Sequence, residues 1–497
     1  MQVLQQRFRR FIVCVLVLLI LVSGTMALAS VPYTSYVYDA DRRPVEAPDA
    51  YTITGTIDGV HLGVGAFNKP QDIFKDSSGS IYVVDTGNNR ILELAKDLKT
   101  ATEIKSFTYN GKAETLNAPQ NVFVTPDGTL YISDTGNKRI VISNKKGEIR
   151  QIIHKPDSDL FGDKNEFKPN DLVVSSAGTM YVLVEGIYQG AVMFNAEGKF
   201  TGYYGSNKVQ ANLSLLADYF WKSFMTAEQR SRMKRYVPVQ YSSLQIDSED
   251  FIYLTTEASE NASERVRKLN PLGQNILRSA NNTKVFYGDP GSFQMQGETN
   301  STTLVSIDVV SDKYITVLDQ NQKRIFQYSQ ECDLLTVFGC AGTMLGAFVE
   351  PVGLCGYDDK IFVLDAQKNA VTVFELTQYG KTLHNAIDIY NDGRYQESLP
   401  YWYDILKYNS SSMLANRGVG KALYQVGKSQ EAMQYFEKCD EKTGYSAAFN
   451  DVRRSIIRQN FTWIIVGIVA GIIGLYLIIK LRVFPRLWSK LRKERTS

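Results

Sequence analysis

The sequence predicts an all-β six-bladed propeller, followed by an α-helical segment and one transmembrane helix. Three observations lead to this prediction: a seven-residue motif that recurs after 49 residues, a second motif that recurs after 34 residues, and an uncharged apolar stretch of 19 residues near the C-terminal end. Periods of about 40 to 50 residues made of short strands are typical of propeller blades. A chain of 497 residues that is 44% apolar is long enough for two or more domains with sizeable cores.

The first 29 residues have the pattern of a secretory signal peptide. Three arginines precede an apolar run over Phe11–Val22, and Ala27-Leu28-Ala29 offers small residues for cleavage before Ser30. We therefore predict that residues 1–29 are removed and that residues 30–50 form an N-terminal extension.

The repeated motif defines the propeller. Asp85-Thr86-Gly87-Asn88-Asn89-Arg90-Ile91 returns as Asp134-Thr135-Gly136-Asn137-Lys138-Arg139-Ile140, and a Pro-Gln pair precedes each copy. Four weaker copies contain the strand-like segments Met180–Val184, Phe251–Leu254, Tyr314–Asp319 and Ile361–Asp365. Six units of about four strands each predict a propeller over residues 51–376. The sixth unit supplies only three strands, so we expect Tyr51–Ile57 to close the ring as its fourth.

These units resemble the NHL-repeat family of propellers, whose units begin with Pro, carry Gly before a Tyr-Val strand, and end in Asp-x-x-Asn-x-Arg-Ile. The resemblance covers Tyr51–Leu376 and is strongest in the first two units. In the third unit we assign Glu185 and Gly190 to the places of the Asp-Arg pair, and in the sixth unit Ala370 stands where Arg is expected. The resemblance implies the fold and no particular activity.

Short side chains recur two residues after the opening position of each unit. These positions are Asp72, Asn121, Asp171, Ser243, Ser306 and Gly353. In a closed ring they converge on the mouth of the central channel, and the five with side chains are our candidate ligand-binding residues. Calcium favours such oxygen ligands, and the pattern is similar to that of gluconolactonase-like propellers, so any metal would lie at Asp72, Asn121 and Asp171. The alternative is that these side chains bond neighbouring backbone.

No catalytic residue and no cofactor is predicted, and the main interpretation is that the chain is not an enzyme. The chain has only three histidines, His61, His154 and His384, whereas the peptidyl-amidating lyases that share this type of propeller use histidine-rich metal sites. The Asp85-Arg90 pair and its copy are interpreted as ion pairs that pack the blades. A calcium-dependent lactonase or esterase remains the enzymatic alternative.

Two long insertions are expected on the face that carries the Thr-Gly-Asn turns. One covers residues 207–237, with apolar residues at helical spacing and a basic end, and the other covers residues 289–303. Loops on a rigid scaffold are frequent binding sites.

The strands stop after Leu376. A second repeat relates Gly393–Ser398 to Gly427–Ala432, with Trp402 and Phe436 at the same offset of 34 residues. This is the tetratricopeptide (TPR) period, and residues 380–459 resemble two such units. Arrays of this kind need about three repeats for stability, so two imply support from the propeller base, from the helix expected over Ala447–Arg458 or from a partner.

Residues 461–479 contain no charge and are long enough to cross a bilayer, which predicts a transmembrane helix. A basic tail follows over residues 480–497. The positive-inside rule places this tail in the cytoplasm and the remaining domains outside the cell, as a single-pass protein of the plasma membrane.

The function predicted from these features is that of a membrane-anchored extracytoplasmic binding scaffold. A net charge of +3 without a basic domain argues against nucleic acid. The mature start, Val31–Tyr36, and the domain order resemble NHL-repeat membrane proteins of Gram-positive bacteria associated with carbohydrate transport. The resemblance implies an ABC transporter component, another membrane protein or a cell-wall glycan as the partner.

Two questions stay open at the level of sequence. Sequons at five asparagines also allow a eukaryotic surface receptor. They are Asn212, Asn261, Asn281, Asn300 and Asn409. Cleavage of the signal peptide leaves Cys332, Cys340, Cys355 and Cys439, whose spacing permits a disulfide but also free buried thiols.

Overall fold

The computed structural model describes residues 31–39, 41, 43–205, 240–256, 264–277, 285, 287–289 and 302–480. The chain forms two compact units: a propeller unit, from the N-terminal side to Val37 and over Asp49–Thr377, and a helical unit, over Tyr38–Pro48 and from Gln378 onward. The predicted signal peptide, the insertion 207–237, most of the insertion 289–303, the tail beyond Lys480 and all sequons except Asn409 lie outside the described residues.

The N-terminal part of the chain contributes three strands before the first blade. They are β1 (Tyr36–Tyr38), β2 (Pro44–Glu46) and β3 (Tyr51–Asp58). Blades 1 and 2 follow, each with four antiparallel strands in sequence order. Blade 1 contains β4 (Asp72–Lys75), β5 (Ile81–Asp85), β6 (Arg90–Leu94) and β7 (Ala101–Ile104). After the hairpin β8 (Phe107–Tyr109) and β9 (Lys112–Glu114), blade 2 contains β10 (Asn121–Val124), β11 (Leu130–Asp134), β12 (Arg139–Ser143) and β13 (Ile149–Ile153).

Blades 3 to 5 repeat this arrangement. Blade 3 contains β14 (Pro169–Val174), β15 (Met180–Val184), β16 (Ala191–Phe194) and β17 (Phe200–Tyr204). In blade 4 the described residues form β18 (Tyr241–Ile246), β19 (Ile252–Thr256) and β20 (Val266–Leu269). Blade 5 contains β21 (Leu304–Val310), β22 (Tyr314–Asp319), β23 (Arg324–Ser329) and β24 (Leu334–Phe338).

Blade 6 joins the two ends of the propeller unit and confirms the prediction of six blades. After the short parallel pair β25 (Cys340–Ala341) and β26 (Ala347–Phe348), it contains β27 (Pro351–Tyr357), β28 (Lys360–Asp365) and β29 (Ala370–Leu376). Its fourth strand is β3, which pairs antiparallel with β29 from Tyr51 opposite Leu376 to Asp58 opposite Ala370. The closing strand therefore comes from the N-terminal side, as the strand count of the sixth unit predicts, and the sheet edge of blade 6 is covered.

The N-terminal extension also adds a strand that the sequence did not predict. Tyr36 of β1 pairs with Val337 on the outer strand of blade 5. Nearby, Tyr33 donates its hydroxyl to the carbonyl of Tyr51 over 2.9 Å and packs its ring 6.1 Å from that of Phe338. The segment after the predicted cleavage site is thus built into the propeller.

Alternating side chains of neighbouring blades form the core. Between blades 1 and 2, for example, Val84 and Ile91 pack in one buried cluster with Val122 and Ile132. Each such side chain contributes about 1.5 to 3 kcal/mol of stability through burial of apolar surface. The Thr-Gly-Asn turns end in left-handed residues such as Asn89, with φ of 55°.

Each of these turns lies against the segment that enters the innermost strand of its blade. Gly87 donates its amide to Asn68 O over 2.8 Å, and Gly136 donates to Asn117 O over 2.9 Å. The turns and the entry segments of these two blades therefore lie on the same face of the propeller.

The helical unit contains six helices among its described residues. They are α1 (Gln378–Asn391), α2 (Tyr395–Tyr408), α3 (Met413–Gln425), α4 (Ser429–Lys438), α5 (Lys442–Gln459) and α6 (Phe461–Lys480). The first five pack in sequence order, each against the next. Gly393 and Gly427 end the first and third helices with φ of 79° and 82°, a conformation that glycine adopts without strain.

The residues of the 34-residue repeat lie where the helices touch. Ser398 and Ala432 are fully buried, and the aromatic rings of the same repeat pack on glycines of neighbouring helices. A Cβ at Gly418 would lie 2.5 Å from the ring of Trp402, and one at Gly420 would lie 2.8 Å from the ring of Phe436. Close packing of aromatic rings on glycine therefore holds this unit together.

The last helix, α6, is the one candidate membrane span among the described residues, and none of its residues is buried. Its 20 residues are about 30 Å long, which matches the hydrocarbon core of a bilayer. The described cysteines, Cys332, Cys340, Cys355 and Cys439, are all free thiols, and all but Cys340 are buried.

Candidate functional site

The innermost strands bring the predicted mouth residues together. Strands β4, β10, β14, β18, β21 and β27 contact one another in a closed ring around the propeller axis. Each contributes a mouth position near its start, and the residues at five of the six positions line one cavity of about 30 Å³. These five are Asp72, Asn121, Asp171, Ser243 and Ser306. This volume is sufficient for one or two water molecules.

Most of these side chains bond to the next blade. The Val122 amide donates to Asp72 Oδ2 over 3.3 Å, and the Leu244 amide donates to Asp171 Oδ2 over 2.7 Å. In the same way the Leu354 amide donates to Ser306 Oγ over 3.1 Å. The alternative interpretation, in which short polar side chains bond neighbouring backbone, therefore describes what these residues do in the folded protein.

Asn121 lies between the two carboxylates and donates to both. Its Nδ2 is 3.0 Å from Asp72 Oδ2 and 2.9 Å from Asp171 Oδ1, while its Oδ1 accepts the Leu172 amide over 3.3 Å. One amide group thereby links blades 1, 2 and 3 at the axis. Because both of its N–H bonds point at carboxylates, it offsets part of their mutual repulsion.

This arrangement does not fit calcium. Calcium binds six to eight oxygen atoms, but here the Asn121 nitrogen, a hydrogen-bond donor, faces the two carboxylates. Within the described residues, no three His, Cys, Asp or Glu side chains lie close enough together to hold a metal ion. The set Asp72, Asn121 and Asp171 is therefore arranged for hydrogen bonding.

Burial makes both carboxylates weak acids. It raises the pKa of Asp72 to about 7, and the nearby Asp171 charge adds to this rise. Burial likewise raises the pKa of Asp171 to about 6. Near neutral pH the pair therefore holds a proton for part of the time, and the negative charge at the channel mouth changes within the physiological range.

A second layer of side chains, which was not predicted from the sequence, lies below the mouth. On one side Phe74 and Phe123 pack with ring centroids 5.0 Å apart. On the other side Gln245 Nε2 donates to Asp308 Oδ1 over 2.7 Å, and the Gly356 amide donates to Asp308 Oδ2 over 2.6 Å. Each of these side chains lies two residues after a mouth position, so the period of a β-strand could have revealed them.

The repeated Asp-Arg pair is architectural, as predicted. Arg90 Nε lies 2.7 Å from Asp85 Oδ2, with Asp85 fully buried, and the Arg90 guanidinium also donates to Val64 O. Asp85 Oδ1 accepts the Asn68 amide over 2.7 Å. The pair therefore fixes the segment that enters blade 1, and Arg139 with Asp134 does the same in blade 2.

The assignment of Glu185 to the Asp position of blade 3 was wrong. Pro169 pairs with Val184, whereas the corresponding Pro351 of blade 6 pairs with Asp365, so Val184 occupies the position. Six residues connect β15 to β16, whereas four connect β5 to β6. Because this turn is longer, the repeat cannot be aligned correctly from the sequence at this point.

A groove of about 240 Å³ lies beside this longer turn. Its walls alternate in charge, with Lys168 3.1 Å from Glu166 and 3.9 Å from Glu185. Nearby, Lys138 of blade 2 lies 3.2 Å from Glu166 and adds a further positive charge to this region. The groove is exposed and polar, on the face of the propeller that carries the turns.

The histidines contribute nothing to the axial cavity, whose lining contains none of the three. His61 instead bonds to Asp58 through its Nδ1 over 2.7 Å, with a largely exposed ring. The five mouth residues therefore supply two weak acids, an amide and two hydroxyls as hydrogen-bonding groups.

The chain matches no protein-family model and no curated protein sequence. Among solved structures it is similar to virginiamycin B lyase from Staphylococcus aureus, at 12% identity over 66% of this chain and 100% of that one, with a TM-score of 0.39.

It is also similar to a protein of unknown function from Bacteroides thetaiotaomicron, at 13% identity over 67% of this chain and 80% of that one, with a TM-score of 0.42. A third similar structure is the extracellular domain of a hybrid two-component system from B. thetaiotaomicron, at 12% identity over 61% of this chain and 33% of that one, with a TM-score of 0.35. At these identities the similarities concern the fold alone.

Proposed function

We propose that this protein is a membrane-anchored binding scaffold that presents its propeller and helical repeats outside the cytoplasm. The observation that supports this most directly is the exposure of α6. Its surface is apolar and none of its residues is buried, so a bilayer is the environment that would cover it. Lys480 ends this helix and further basic residues follow in the sequence from Arg482 onward, which favours a cytoplasmic C-terminal end.

The chemistry of the axial cavity favours binding over catalysis. Asp72, Asn121 and Asp171 are bonded to each other and to backbone amides of the next blade, and their groups hold the ring together. A general base needs a free lone pair directed at substrate. We therefore propose that the chain is not an enzyme and that the propeller acts as a rigid platform.

The partner that we propose is a component of a transport or cell-envelope complex, such as an ABC transporter component or another membrane protein, or a cell-wall glycan. The order of propeller, helical repeats and membrane helix supports this choice, because short helical repeats commonly bind or bridge other proteins. The groove beside Glu166 and Lys168 and the mouth residues Asp72 to Ser306 offer polar surfaces on the propeller unit.

The test is purification of the full-length protein from its own membranes in mild detergent after chemical cross-linking. We expect a transport or envelope component in stoichiometric amount. A matched variant, in which α6 is replaced by an unrelated apolar helix of 20 residues, should keep this partner because the extracytoplasmic units bind it. Recovery of the protein alone after cross-linking, or loss of the partner with the replaced helix, would contradict the proposal.

A further inference from the structure

The helix that precedes the candidate membrane span exposes large apolar side chains. Of the 18 residues of α5, only Ala448 is buried. Ile456 and Ile457, in its last turn, are 54% and 46% exposed. Large aliphatic side chains are stabilised when they leave water, so two exposed neighbours indicate a surface that something else covers.

The connection to α6 fixes how far this surface can lie from the membrane. Asn460 is the single residue between the two helices; its amide donates to Ile456 O over 3.0 Å, and its carbonyl accepts the Ile464 amide over 2.9 Å. At about 1.5 Å per residue, Ile456 lies no more than about 7.5 Å from Phe461 along the helix. The headgroup layer on each side of a bilayer is about 5 to 8 Å thick, so Ile456 and Ile457 fall within it.

The charges on this part of α5 indicate what kind of partner covers its exposed side chains. Arg453, Arg454 and Arg458 are exposed, and in the described part of the chain none of them forms an ion pair. Asp451 is the one acidic residue of the helix. Guanidinium groups bind phosphate in a bidentate manner, and arginine side chains extend along apolar surface toward a polar layer. A basic and apolar surface beside a membrane helix matches phospholipid.

We propose that the C-terminal half of α5 lies in the headgroup layer on the side of the membrane where α6 begins. Ile456 and Ile457 contact the outer ends of the acyl chains, and Arg453, Arg454 and Arg458 bind phosphates of anionic phospholipids. The helical unit is then held at the membrane surface by a lipid-binding collar in addition to its anchor. This inference rests on the membrane anchorage proposed above.

The experiment uses the full-length protein in vesicles of phosphatidylcholine with and without phosphatidylglycerol. A nitroxide is attached at Ile456→Cys and, as a matched control at the same height on another side of the helix, at Ser455→Cys. The signal of the wild-type cysteines is subtracted. We expect the label at position 456 to collide more often with oxygen than with a water-soluble nickel complex, and the label at position 455 to show the reverse.

The lipid part of the proposal is measured by the phosphatidylglycerol that remains bound after mild extraction. The triple variant Arg453→Gln, Arg454→Gln and Arg458→Gln should bind it more weakly, by about fivefold for each arginine removed. The charge-matched control Lys407→Gln, Lys428→Gln and Lys442→Gln, away from the junction, should bind it as the wild type does. Equal losses in both triple variants, or equal access of nickel to positions 455 and 456, would overturn the proposal.

An alkaline wash separates this proposal from the proposed function. Release of the full-length protein from membranes by the wash would show that α6 is not an anchor and would overturn both. Protein that resists the wash but has a water-exposed position 456 would overturn the lipid-binding collar alone.

Discussion

The side-chain amide of Asn121 donates to the carboxylate of Asp72 over 3.0 Å, across the boundary between blades 1 and 2. The same amide donates to Asp171 of blade 3. Replacement by alanine removes both bonds and leaves two buried carboxylates with one donor fewer each. We expect Asn121→Ala to lower the free energy of unfolding by about 2 to 4 kcal/mol, measured by urea denaturation. Ser306→Ala, which removes one bond to Leu354, should cost only about 1 kcal/mol. Equal effects of the two variants would contradict a linking role for Asn121.

The pH dependence of stability should reveal the buried carboxylates. The pKa of Asp72 is raised from 3.8 to about 7 in the folded protein. The folded state therefore takes up a proton as the pH falls from about 7 toward 4, while the unfolded state stays charged, so this group stabilises the fold increasingly over that range.

We expect Asp72→Asn to flatten the curve of unfolding free energy between pH 5 and pH 8, relative to wild type. Asp171→Asn should act in the same direction at slightly lower pH, since the Asp171 pKa is about 6. A wild-type stability that rises steadily from pH 5 to pH 8, and that neither variant alters, would contradict the raised pKa values.

Calcium provides a test of the enzymatic alternative. Because Asn121 turns its nitrogen toward Asp72 and Asp171, we expect calcium to leave the melting temperature of the wild type unchanged, relative to a chelator. Differential scanning fluorimetry measures this shift. A calcium-dependent rise that disappears in Asp72→Ala and Asp171→Ala would support the lactonase alternative.

The buried ion pair of blade 1 should be sensitive to removal of one partner. In Arg90→Ala the fully buried Asp85 loses its counter-charge, and we expect a loss of about 3 to 5 kcal/mol of stability. Blade 6 has Ala370 where blade 1 has Arg90, and Lys368 donates instead to Met344 O over 2.9 Å and to Ala347 O over 2.5 Å. Lys368→Ala should therefore cost less, about 1 to 2 kcal/mol, since it leaves two carbonyls without this donor but no buried charge without its partner. Thermal or urea unfolding of both variants makes the comparison.

The helical unit should not accept a larger residue beneath Trp402. A Cβ at position 418 would lie 2.5 Å from the Trp402 ring, so Gly418→Ala forces α2 and α3 apart. We expect a destabilisation of about 1 to 3 kcal/mol. Gly393→Ala is the control at a position with open space but a left-handed backbone, and it should cost about 1 kcal/mol. Helix melting followed by circular dichroism reports both.

The blade count and the closing strand could be predicted because they depend on local pattern. The copies of Asp85–Ile91 place strands at fixed intervals, and a last unit with three strands requires a fourth from elsewhere. The mouth positions could be predicted for the same reason, since equivalent residues of a repeat occupy equivalent places in a ring.

The interactions that decide chemistry were harder to predict because they join distant parts of the chain. Which way Asn121 of blade 2 turns its amide depends on Asp72 of blade 1 and on Asp171 and the Leu172 amide of blade 3. Nothing near Tyr36 indicates that it pairs with Val337 on the outer strand of blade 5. It could not be predicted that Val184 takes the place of the motif Asp in blade 3, because a longer turn shifts the apparent repeat.

The joining of β3 to β29 has a consequence for the order of events during synthesis. In sequence, 319 residues separate Thr54 from Val373, whose carbonyl it contacts in the completed blade. During synthesis β3 therefore stays unpaired with β29 until almost the whole propeller has been made. Pairings this distant form slowly, so the final closure of the ring is the step most open to interception by chaperones or by another copy of the chain.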